Sequence, residues 1–101
     1  MTRRQEKRKA ADELATLIRK ETESKLFHRK MEKRWNEFSG LYSIRVWEEG
    51  LNFLSGSMVA RIVGIVRKYN DSLTEGSATC AIGARLRENG EPYAVLEVVI
   101  G

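Results

Sequence analysis

One cysteine, one proline and one histidine in 101 residues remove several classes of protein at once. Cys80 has no second thiol for an internal disulfide, and no CxxC or Cys/His grouping could hold zinc. An intracellular, reducing location is therefore expected, cytoplasmic or, in a eukaryote, nuclear. Long apolar runs are also missing. The most hydrophobic stretches, 58–66 and 93–100, fall well short of the roughly 20 residues that cross a bilayer. The basic start (TRRQEKRK) leads into amphipathic, charged sequence, so no signal peptide is expected. With only Pro92 and 8 glycines, collagen-like and low-complexity classes are excluded.

What is present is 42% hydrophobic residues, enough for one core and too few for two. The formal net charge of +4 is unevenly placed: residues 1–38 hold twelve Lys/Arg against seven Asp/Glu, and residues 39–101 hold six against seven. The basic surplus belongs to the N-terminal segment, which points to an anionic partner.

Residues 3–38 lack Gly and Pro and are rich in helix formers. Thr2 and Gln5 have capping-box spacing, and Ser39-Gly40 supplies a stop. The apolar stripe Ala11, Leu14, Leu17, Ile18 and a second one, Phe27, Met31, Trp35, Phe38, are offset around the helix and separated by polar sequence. The pattern predicts a helix over 10–38 with a hinge near Ser24, preceded by a basic tip, 1–9, prone to fray. Alternation over 41–47 predicts a strand. Over 57–69, Met58, Ile62, Val66 and Tyr69 follow a helical period while five β-branched residues favour strand; the period predicts helix. Asn89-Gly90 between β-rich runs predicts a hairpin over 78–100. The expected architecture is α+β: a single domain, 10–101, in which a long N-terminal helix packs on a small antiparallel sheet with one further helix and a C-terminal β-hairpin. The last strand is apolar on both faces, which suggests a homodimer.

Chemistry is sparse. His28 sits among lysines and Cys80 among small residues, so a Cys/His nucleophile is not indicated. Of the carboxylates, Glu48, Glu49, Asp71 and Glu75 read as solvated turn residues, whereas Glu97 interrupts an apolar strand and is expected to meet Arg85 or Arg87 across the hairpin. Ser55-Gly56-Ser57 lacks P-loop spacing and reads as a helix cap at Ser57. No metal site, cofactor, small-molecule substrate or enzymatic activity is expected.

The basic residues carry the functional reading. Arg3, Arg4, Lys7, Arg8 and Lys9 crowd a helix N-terminus, where the macrodipole disfavours cations and an anion would relieve them. Lys25, Arg29 and Lys33, with Lys30 and Arg34 beside them, would form a second basic row if 25–38 is helical. Arg45 shares a strand face with Trp47, as in base-stacking platforms, and Arg85 and Arg87 add a small basic spot. These residues outline a non-enzymatic nucleic-acid-binding or nucleoprotein-associated accessory protein. The alternative is a protein-interaction module (regulator, inhibitor or assembly factor) acting through the amphipathic helix and the apolar terminal strand. A membrane surface is not the expected partner. A plain solvated helix face also accounts for mixed Lys, Arg and Glu, leaving the tip as the part hardest to attribute to solubility alone.

Overall fold

The computed structural model describes residues 2–23, 29–72 and 77–101. The capping box forms as its spacing predicts: Thr2 Oγ1 accepts from the Gln5 amide and Gln5 Oε1 accepts from the Thr2 amide. It opens helix α1 (Arg3–Glu21), and the tip is part of that helix. Ala11, Leu14, Ala15 and Ile18 form its buried stripe, while Leu17 is turned outward. At the other end the buried Thr22 hydroxyl donates to the Ile18 carbonyl at 2.6 Å.

The helix expected to continue to residue 38 stops there. Residues 29–36 instead form a strand, β1 (Arg29–Asn36), paired antiparallel with β2 (Leu41–Glu48). Two features made the segment resemble helix. Its residues have helical propensity, and Met31 and Trp35, four apart, share a face in a strand as well as in a helix. Pairing decides the outcome, because β2 offers a full row of partners from Arg29↔Glu48 to Asn36↔Leu41. The Ser39-Gly40 stop is the hairpin turn. Asn36 Oδ1 accepts from the Phe38 and Ser39 amides, and Gly40 takes φ +67°, open to glycine at little steric cost. Phe38, assigned above to an apolar stripe, is fully exposed at that turn. The hinge near Ser24, with Lys25, Phe27 and His28, lies outside the described residues.

Helix α2 (Gly56–Ser72) resolves the ambiguous stretch in favour of its period, with Met58, Ile62 and Val66 buried. Strands β3 (Ala78–Leu86) and β4 (Pro92–Ile100) form the expected hairpin around Asn89-Gly90. The fold is α+β, with a four-stranded antiparallel sheet in the order β1-β2-β4-β3. β4, apolar on both faces, is therefore a central strand.

Both helices lie on one side of the sheet. Tyr42, Ile44, Val46 and Glu48 alternate inward along β2, as do Leu96, Val98 and Ile100 along β4, to meet α1 and α2 in one core. Glu48 is not the solvated turn residue expected above. It is 3% exposed, and its Oε2 accepts from the Ser55 amide at 2.6 Å, fastening the loop that leads into α2. That helix starts at Gly56, one residue before Ser57, which was expected as its cap.

Burial separates two isoleucines. Ile62 is fully buried and Ile82 is 62% exposed, so Ile62→Ala should cost about 2–5 kcal/mol in a urea titration and Ile82→Ala under about 1 kcal/mol. Glu48→Ala, which leaves the Ser55 amide without its acceptor, should cost about 1–3 kcal/mol.

Candidate nucleic-acid interface

α1 runs antiparallel to β1, and three pairs of residues mark the alignment. The Arg4 guanidinium lies 5.0 Å over the Trp35 ring. Lys33 is hydrogen-bonded and ion-paired to Asp12. Arg19 stands near enough to Arg29 for their charges to interact. On the helix Arg4, Arg8, Asp12 and Arg19 fall within about 80° of one another. Arg4, Arg8, Arg19, Arg29 and Lys33 therefore share one seam, with Asp12 as the carboxylate in its middle and Glu23 near its far end.

Arg29 is the least comfortable of these cations. Its Nε is buried, with no hydrogen-bond partner among the described residues. Burial first, and then the charge of Arg19, push its pKa below that of a free guanidinium, with Glu23 acting in the opposite direction. A guanidinium remains protonated regardless, so the seam holds a cation whose charge an anionic oxygen would offset.

The tip divides into two groups. Arg4 is stacked on Trp35, which in turn packs on Tyr42 at a ring separation of 4.8 Å, and Lys7 donates to the Gly40 carbonyl at 2.6 Å. These contacts tie α1 to the first hairpin. Arg3, Arg8 and Lys9 make no hydrogen bond or ion pair among the described residues.

The second predicted row is rearranged by the strand geometry. Arg29 and Lys33 face α1, whereas Lys30 and Arg34 point to the open face of the sheet, where Lys30 meets Glu49 at 3.5 Å and Arg34 meets Glu32 at 3.6 Å. Lys25 lies outside the described residues. Arg45 and Trp47 share the open face as expected, and Trp47 meets Tyr93 edge-on at 6.4 Å. A shallow groove of about 500 Å³ crosses that face, lined in part by Arg34, Ser43, Arg45, Glu97 and Val99.

Glu97 does meet an arginine across the sheet, but the partner is Arg45, whose Nε lies 3.1 Å from Glu97 Oε2. The register sets them side by side, so neither Arg85 nor Arg87 takes that role. Arg87 is a strut: its guanidinium donates to the Leu51 carbonyl at 2.7 Å and stacks over Tyr93 at 4.7 Å. Arg85 and Arg87 belong to the edge of the sheet opposite β1, so they do not join the seam.

Sequence reasoning missed Arg19. Its spacing of eleven residues from Arg8 returns to the same helical flank, a signal that was present but had no strand beside it to give it meaning. Burial raises the Cys80 pKa, which keeps it a thiol at neutral pH and a poor nucleophile. Among the described residues no group of three or more potential ligands could hold a metal, and no helix is long and apolar enough to cross a membrane. Comparison of the chain with protein-family models, curated proteins and solved structures found no match.

The hydrogen bond from Lys33, the largest influence, holds the Asp12 carboxyl below its ordinary pKa. The folded-state pKa is depressed, so the stabilisation is present above the unfolded value and is lost as pH falls through the folded one. Both side chains are about half exposed, which limits the pair to at most about 1 kcal/mol. Asp12→Asn should therefore lower stability slightly at pH 7, and its unfolding curve should converge with that of the wild type below about pH 4.

Proposed function

We propose that the protein binds nucleic acid, without catalysing a reaction on it, through the basic seam between α1 and β1. The observation behind this reading is the antiparallel placement of α1 beside β1, which gathers Arg4, Arg8, Arg19, Arg29 and Lys33 around Asp12. Arg3 and Lys9 are exposed on other flanks of α1, about 100° or more around the helix from Arg8, and Lys30 and Arg34 lie on the other side of β1. From Arg4 to Arg19 the helix rises about 22 Å, the length of roughly six base-pair steps along a duplex axis. The open sheet face contributes less, since its arginines already face Glu97 and Glu32.

A second reading, a protein-interaction module, draws on a different part of the molecule from the one first expected. The apolar stripe of α1 is in the core and both edges of β4 are paired, which leaves a partner only the open face of that strand. The strand with a free edge and exposed apolar side chains is β3.

Fluorescence-anisotropy titrations of duplex DNA and single-stranded RNA over a range of salt concentrations test the nucleic-acid reading. The expected slope of log affinity against log salt is about −4 on the duplex, corresponding to four or five phosphate contacts. Neutralising Arg8 and Arg19 together (Arg8→Gln with Arg19→Gln) should reduce that slope by about two, while Arg67→Gln on α2 should leave it unchanged. No binding to either polymer at low salt ends this reading.

A further inference from the structure

The two edges of the sheet are built differently. β1 carries Lys30, Glu32, Lys33 and Arg34, the charged residues that commonly guard an edge strand against further pairing. β3 (ATCAIGARL) carries only Arg85, with no proline and no lysine. Its pairing with β4 fixes which of its backbone groups are free. Arg87 donates to the Glu91 carbonyl and Gly101 donates to the Ser77 carbonyl, so the odd-numbered residues bond inward to β4. The even-numbered residues point their amides and carbonyls out of the sheet. Ala78 is already satisfied, because Asn70 accepts from its amide and donates to its carbonyl, both at 2.8 Å. Cys80, Ile82, Ala84 and Leu86 remain as an open edge of four residues.

We propose that this edge pairs with the same edge of a second copy of the chain, across a two-fold axis at Gly83. The protein is then a dimer with a continuous eight-stranded sheet. This inference rests on β3 and is independent of the seam at α1 and β1. An axis at Gly83 sets Cys80 opposite Leu86 and Ile82 opposite Ala84, and it engages all four open residues of each copy. An axis at Ile82 would instead need Ala78, which Asn70 occupies. Glycine in mid-strand is otherwise unexplained, since its φ is not positive and a side chain at Gly83 would meet nothing within 4 Å. On the two-fold axis it falls at a close approach of two backbones.

Charge does not oppose this register. Arg85, which has no hydrogen bond or ion pair among the described residues, would lie opposite Ala81 of the second copy. Ala81 is the β4-register neighbour of Glu97. The small Ala81 side chain leaves room for the Arg85 side chain, and the two Arg85 residues stay about 13 Å apart along the strands, beyond a Debye length, while Glu97 remains with Arg45 on the far side of β4.

Apolar side chains mark the same border. Ile82 and Leu86, 62% and 73% exposed, lie on the helix side of β3. Val59 and Val63 fall within about 40° of Asn70 around α2, and Asn70 is bonded to Ala78, so this flank of the helix overlooks β3. Val63 is exposed. The paired stretch from Cys80 to Leu86 is about 20 Å long, and the molecule is 17 Å across its thinnest direction. That product is on the order of 350 Å² per copy, the size of a small, weakly held interface, so the backbone pairing rather than the area holds the two copies.

Sedimentation equilibrium at about 0.5 mM chain should give about 23 kDa, twice the chain mass of 11.6 kDa. Ile82→Lys should give a monomer with unchanged circular dichroism, since Ile82 is mostly exposed within one copy. Under mild oxidation Gly83→Cys in a Cys80→Ser background should form a disulfide between the two copies, visible as a dimer on a non-reducing gel, because the axis makes residue 83 a non-hydrogen-bonded pair with Cα atoms about 4.5 Å apart. Cys80→Ser alone should give none. A wild-type monomer, a dimer that survives Ile82→Lys, or a dimer in which Gly83→Cys fails to cross-link each overturns the proposal.

Discussion

The pairing of β2 with β4 is the contact on which the other elements depend. Each hairpin alone is a two-stranded ribbon with one apolar face, a unit at best marginally stable in water. Their junction, from Tyr42↔Ile100 to Val46↔Leu96, places six buried side chains side by side on the helix face. α1 lies across this junction, touching both β2 and β4, while α2 covers β3 and packs on α1. On the opposite face the same register brings Arg45 to Glu97, a half-exposed carboxylate beside a guanidinium that is mostly buried. The junction thus joins the two hairpins, supports the helix layer and aligns the charge pair on the open face.

How much of this could be read from residues alone varied with the distinctness of the local signal. The Asn89-Gly90 hairpin, the alternation of β2 and the 3.6-residue period of α2 each had a pattern that one conformation satisfies better than the other. The capping box at Thr2 and Gln5 was equally legible. Residues 29–36 had no such pattern. Lys, Glu and Arg favour helix, and the spacing of Met31 and Trp35 fits both periods, so only the presence of β2 as a partner settles the matter. No sum of local preferences contains that information.

That one segment also governs how far the site was legible. Arg29, Lys30, Lys33 and Arg34 were picked out for their charge, and they do lie near the basic tip. As a helix they would have formed a single row. As a strand they divide, Arg29 and Lys33 toward α1 and Lys30 and Arg34 away from it, and the first pair meets a flank of α1 that includes Arg19. The tip divides too. Arg4 and Lys7 stack and donate within the fold, so part of the positive charge that looked like surplus holds α1 against the first hairpin.

The Asn70 side chain, bonded at both ends to Ala78, does for the sheet what a strand would do at that position, and then stops. Beyond it the sheet ends on one side in a short unpaired stretch and on the other in the mixed charges of β1. A sheet with two alike and open edges could add copies without limit, as fibrils do. With edges this dissimilar, association through β3 consumes the one receptive border of each copy and leaves β1 facing outward at both ends. Growth would be terminated at two by symmetry, with no separate cap needed.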